Sequence, residues 1–225
     1  MGQAIGQVLS FGVGVALSPI PIVAVVLMLA TPRGRVNGPA FLGGWVVGLA
    51  AVGSIVLLVS SGADASKHEA PATWVSVLKL ALGCLLLLVA AQQWRGRPAR
   101  DEEAALPGWM QKVDEFTLPR SAGVAVALAA VNPKNLLLTV GAAAAIAQTG
   151  AGSVSQAVAL AVFVAIATVG VGAPVAIYYL MGDRAASILS GLRLWLVRHN
   201  AAIMATLCLI LGAKLIGDAI SALTT

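Results

Sequence analysis

A chain of 225 residues that is 59% hydrophobic and only 10% charged, with a mean hydropathy of +0.94, cannot be an ordinary soluble domain or a largely disordered one. It reads as an all-α integral membrane protein. The net charge of +5 comes from cations scattered over membrane-facing loops, which fits topology and anionic-lipid contact and speaks against nucleic-acid binding.

Six apolar stretches predict six transmembrane helices, at 2–31, 39–61, 72–94, 121–148, 153–181 and 201–223. The first has no basic residue ahead of its apolar run and continues past the length of a secretory signal, so it is expected to be retained. It is interrupted by Ser18-Pro19-Ile20-Pro21. Proline removes a helix hydrogen bond and its ring clashes with the preceding turn, so this helix should break and free backbone carbonyls and amides. Unpaired backbone groups are costly in lipid, and such a break belongs in a protein interior or a wet cavity.

The stretch from 95 to 120 is predicted to be a cytoplasmic linker. In it Trp109, Met110, Val113 and Phe116 recur at helical spacing between Pro107 and Pro119, which suggests a short helix along the interface. A second interfacial helix is expected from Ile188, Leu189, Leu192, Trp195 and Leu196, with Asp183 as its cap and Arg193 and Arg198 facing headgroups. The fourth span repeats the theme of the first: Asn132-Pro133-Lys134-Asn135 lies deep within it.

The chain then divides into a three-helix repeat over 1–94, the linker over 95–120 and a second three-helix repeat over 121–225. Pro19 and Pro133 fall at comparable depths, and Cys84 and Cys208 share Leu-rich settings in the closing helices. Three crossings per half make the second half enter from the opposite face, an inverted repeat of the kind that builds secondary transporters around broken helices. Of the fourteen Lys and Arg residues, ten fall in the loops after the first, third and fifth spans: Arg33, Arg35, Arg95, Arg97, Arg100, Lys112, Arg120, Arg184, Arg193 and Arg198. The positive-inside rule makes those loops cytoplasmic and puts both termini outside the plasma membrane. Small residues at Gly43, Gly44, Gly48, 141–145, Gly170 and Gly172 predict close helix packing within a bundle and in a homodimer.

Lys134 is the sharpest candidate for function. A cation near mid-span costs a few kcal/mol or more and normally faces a cavity or partner, where it can bind an anionic substrate group or titrate. Asn132 and Asn135 supply donors and acceptors beside it, Ser18 supplies a hydroxyl on the facing break, and Pro19, Pro21 and Pro133 release half-helix amides. These seven residues are the expected substrate-binding site. Lys79 and Lys214 sit nearer helix ends and are expected to snorkel to the interface. Gln92 and Gln93 are read as interfacial, and Asp218 as solvated. No Asp or Glu lies at mid-depth, so a carboxylate relay or sodium cage is poorly supported. His68 and His199 lack neighbours at ligand spacing, and no catalytic motif stands out, so no metal, cofactor or enzyme activity is expected. Were Cys84 and Cys208 to meet, they could carry thiol electrons across the membrane.

The runs SPIPIVAVVLMLATPRGR (18–35), AFLGGWVVG (40–48) and NPKNLLLTVGAAAAIAQ (132–148) resemble those of the GAP or Sap-like family of actinobacterial membrane proteins within the lysine-exporter superfamily. The resemblance covers essentially the whole chain. It implies a six-helix exporter fold and translocation of a cell-envelope lipid, glycolipid or lipid precursor, an anionic or amphipathic substrate, with membrane lipids or envelope-export machinery as partners. The same superfamily contains amino-acid exporters, and thiol carriers whose cysteines adjoin the broken-helix prolines. Here those positions hold Ser18 and Asn132, which weakens the thiol reading.

Overall fold

The computed structural model describes residues 2–64, 73–96 and 108–224, and among these every regular element is helical. In chain order they are α1 (Gly2–Ala16), α2 (Pro19–Leu29), α3 (Gly34–Asp64), α4 (Thr73–Arg95), a 3-10 helix (Gly108–Glu115), α5 (Leu118–Ala130), α6 (Pro133–Ala147), α7 (Ser153–Leu180) and α8 (Arg184–Thr224). Four of them, α3, α4, α7 and α8, are long and apolar enough to cross a membrane unaided. The pairs α1–α2 and α5–α6 reach that standard only when each is taken as one bent unit, giving four to six spans. His68, Lys67, Arg97 and Arg100 lie outside the described residues.

Both bends fall at the proline motifs and have the same local cause. Ser18 is extended (φ −86°, ψ 107°), as a residue before proline prefers, and Pro19 opens α2 at the position where its missing N–H costs least. The chain turns by 46° there. Asn132 (φ −60°, ψ 120°) and Pro133 do the same for α6, with a turn of 64°. Further on, Gly150 (φ +61°) and Gly182 (φ +52°) adopt the left-handed conformation that closes α6 and α7 with reversals.

The helices pair across the two halves of the chain. α1 packs on α7 and α5 on α3; α4 packs on α8; α2 meets α8 while α6 meets α4. Each of these pairings has a counterpart obtained by exchanging the halves, whereas the packing of α1 on α6 is not matched by α5 on α2. Trp45 on α3, wholly buried, donates from Nε1 to the Ala167 carbonyl of α7 at 3.3 Å and ties the halves near the centre. Glycine sets the closest approaches: a Cβ on Gly44 would stand 2.3 Å from the Ala122 carbonyl oxygen of α5, and one on Gly170 only 1.8 Å from that of Ala16. Neither position has room for a side chain. Gly43 and Gly172 are in open space or ordinary contact and do not share this role.

Two expectations about the loops change. The 3-10 helix exists, but Met110, Val113 and Phe116 are buried against protein, with α2 as a neighbour, and do not face headgroups. Asn37 of α3 holds it there by donating from Nδ2 to the Phe116 carbonyl at 2.9 Å. The second interfacial helix is not separate from the last span: α8 runs unbroken for 41 residues, about 60 Å at 1.5 Å per residue. Leu189 and Leu196 of its first part are buried in the common core while Trp195 is exposed, so that part is a packed element of the bundle.

Candidate functional site: a buried amine between two half-helices

The two breaks meet. Lys134 Nζ donates to Ser18 Oγ at 2.8 Å, and Ser18 Oγ in turn donates to Asn135 Oδ1 at 2.6 Å. One hydroxyl thus joins the start of α2 to the start of α6. Lys134 is 1% exposed, Ser18 3% and Asn135 0%, so the junction is closed to solvent in this conformation.

Each polar atom has a local reason to be where it is. Asn132 N bonds Ala127 O at 3.3 Å, which leaves the Leu128 carbonyl without its usual helical donor. Asn135 Nδ2 takes that place at 3.0 Å. Its Oδ1 is then free for Ser18, and both ends of the amide are used. Asn132 caps α6 by accepting from Lys134 N at 3.2 Å, whereas Ser18 makes no cap on α2 and spends its hydroxyl across the junction. Thr139, wholly buried one turn along α6, bonds back to Asn135 O at 2.8 Å.

Of the seven residues expected at the site, Ser18, Lys134 and Asn135 come into direct contact. Asn132 is half-buried and acts on the α6 backbone; Pro19 and Pro21 are buried and shape the start of α2. Pro133 is exposed on the outside of its bend and shapes α6 without facing the amine. Sequence reasoning missed Thr139, although its spacing from Asn135 on one helix face signalled it. The sequence named Cys208 only as a possible thiol partner of Cys84 and gave no sign that α8 brings it within electrostatic reach of Lys134.

The electrostatics are one-sided. Each helix N-terminus carries roughly half a positive charge. Here two such ends converge on a lysine, and none of the described residues offers it a carboxylate. Ser18 takes one of the three protons that an ammonium can donate, and no other acceptor is bonded to the amine among the described residues. Such an arrangement has donors and positive potential to spare, and the complement it lacks is an anion.

The remaining candidates fall elsewhere. Lys79 does not snorkel: it is 4% exposed, and its amine donates to Gln148 Oε1 just beyond α6. The reason is that α6 ends beside α4 and supplies an acceptor closer than the interface. Lys214 pairs with Asp218 at 2.8 Å, both partly exposed. Cys84 is exposed and Cys208 buried, so the two thiols face different surroundings, and neither is in a disulfide. His199 donates from Nδ1 to the Trp195 carbonyl of its own helix at 2.8 Å.

No curated protein and no solved structure matches the chain. A family model does, over residues 8–221, a span that takes in both proline breaks and most of the chain. The chain therefore belongs to the family described as Sap, sulfolipid-1-addressing protein.

Proposed function

We propose that the protein moves an anionic-headed envelope lipid or lipid precursor across the plasma membrane by alternating access. The observation that carries this reading is the buried Lys134 amine held between the N-terminal ends of α2 and α6 with no carboxylate beside it among the described residues. A cationic or zwitterionic amine substrate would be repelled there; a sulfate, phosphate or carboxylate would be drawn in. The family description names a sulfolipid, which agrees with that preference.

In this reading the two halves form inverted repeats of three spans, supported by the way the helix pairings recur when the halves are exchanged. The present conformation is occluded. Rocking of one half against the other would open the junction to either face, and a headgroup entering it would take up the free donors of Lys134. The Ser18 to Asn135 bond would hold the two half-helices together as this happens. Acyl chains would remain in the lipid between the helices while only the headgroup passes the core.

The test is flipping of a labelled phosphatidylglycerol analogue in vesicles reconstituted with the full chain. Lys134→Ala should reduce the protein-dependent rate to background while the helical content stays unchanged. Full activity in that variant would remove the amine from the mechanism and overturn the proposal.

A further inference from the structure

A second polar cluster lies away from the midplane. Lys79 of α4 is buried and bonds Gln148 beyond α6; Ser76, one turn earlier on α4, is buried as well. Lys214 of α8 bonds Asp218 at 2.8 Å and stands 5.6 Å from the centre of the Phe11 ring. α4 packs on α8 with Gly83 against Gly212 and Ile216, which sets Lys79, one turn earlier on α4, beside the turn of α8 that carries Lys214 and Asp218, so these groups are neighbours among α1, α4, α6 and α8.

Its position relative to Lys134 follows from helix geometry. Gln148 is fourteen residues past Lys134 on α6, about 21 Å at 1.5 Å per residue. Lys214 is six residues past Cys208, the buried α8 residue within electrostatic range of Lys134, or about 9 Å. The three lysines therefore climb from the junction toward the end of the bundle where α6 stops. By the distribution of loop cations that end is extracytoplasmic. Phe11 divides the two sites: it is buried, and its ring lies against Gly141, midway between Lys134 and Gln148 on α6.

Among the described residues the cluster holds two amines against one carboxylate. The C-terminal dipole of α6 offsets roughly half a charge, so positive potential remains. Asp218 and the Gln148 carbonyl occupy the amines when no ligand is present, yet both are easily displaced. The carboxylate is partly exposed, and a glutamine amide can turn to present its N–H₂ in place of its oxygen.

We propose that Lys79 and Lys214, with Ser76 and Gln148, form a second anion-binding site that receives the headgroup after it leaves Lys134 and releases it at the outer face. Identity of the headgroup at the two sites rests on the function proposed above; the outer site's affinity for an anionic phosphate or sulfate group does not. An arriving anion takes both amines, Asp218 turns to solvent, and Gln148 donates to the ligand. Return of Asp218 to Lys214 then favours release.

The experiment uses the full chain purified in detergent, carrying Lys134→Ala so that the midplane amine contributes nothing. Native mass spectrometry measures binding of phosphatidylglycerol and phosphatidylcholine, with inorganic sulfate as competitor. Phosphatidylglycerol should bind in preference to phosphatidylcholine, and adding Lys79→Gln with Lys214→Gln should weaken it at least tenfold. Displacement by millimolar sulfate would assign the site to free anions as well as headgroups; no displacement would assign it to the lipid. Equal phosphatidylglycerol affinity with and without the two lysines would overturn the proposal. Should the lysine variants fail to fold, Asp218→Asn removes the competing carboxylate and should raise the affinity severalfold, and an unchanged or lower affinity would be equally fatal. Failure of the transport reading is separate, because it appears as lipid flipping that survives Lys134→Ala.

Discussion

Replacing Lys134 with methionine separates a functional amine from a structural one. Methionine keeps the unbranched apolar stem and removes the charge. A cation at mid-span costs about 2.5–3.5 kcal/mol on insertion scales. Two helix N-termini facing it add about 0.3–1 kcal/mol each. Against this, the substitution gives up one charge-assisted hydrogen bond, to Ser18 at 2.8 Å, worth about 1.5–3 kcal/mol. Ser18 Oγ loses its donor but still donates to Asn135, and Asn135 keeps Leu128 O, so no buried polar group is left without a hydrogen bond. The balance of these terms predicts that Lys134→Met stabilises the protein by about 2 kcal/mol while flipping of anionic lipid stops. Reversible unfolding in mixed micelles, alongside the vesicle assay, measures both. A loss of more than about 1 kcal/mol would show that the amine pins the two breaks together and would refute the electrostatic reasoning.

Asn135→Asp gives Lys134 the carboxylate it lacks but removes the Nδ2 donor that Leu128 O uses, so the unfolding midpoint should fall by the equivalent of about 1–3 kcal/mol, and transport should fall at least tenfold in the same flipping assay. Gly170→Ala places a Cβ where only 1.8 Å separates it from Ala16 O, so α7 must move off the end of α1. Overpacking of this kind costs about 1–3 kcal/mol, visible as a lowered unfolding midpoint, whereas Gly43→Ala, with nothing within 4 Å, should not shift it. A double variant Cys84→Ser, Cys208→Ser should transport at the parent rate; loss of activity would revive a thiol-based role.

The breaks were legible in the sequence because proline acts on its own helix: Pro19 and Pro133 each remove local bonds, and the bend follows wherever the neighbours are. The depth of Lys134 was legible for the same reason, since counting along an apolar run gives it directly. What joins the breaks was not. The Ser18 to Asn135 bond spans 117 positions, and only the packing of α1 on α6 brings its ends together. Lys79 shows the limit most clearly. Its place near a helix end read as snorkelling, but Gln148, 69 positions away, takes its amine. The apolar spacing of 188–196 was read correctly as a helical face. Nothing in that spacing distinguishes a headgroup layer from a protein core, and Leu189 and Leu196 turned out to face the core of a continuous α8. The same ambiguity hid the docking of Met110, Val113 and Phe116, which depends on one distant donor, Asn37.

The most direct measurement is an experimental structure of the protein in lipid nanodiscs containing an anionic phospholipid. The account predicts headgroup density within hydrogen-bond distance of Lys134 Nζ, between the starts of α2 and α6. A junction that stays empty and closed on Ser18 while the same lipid fills sites only on the outer surface of the helices would contradict it.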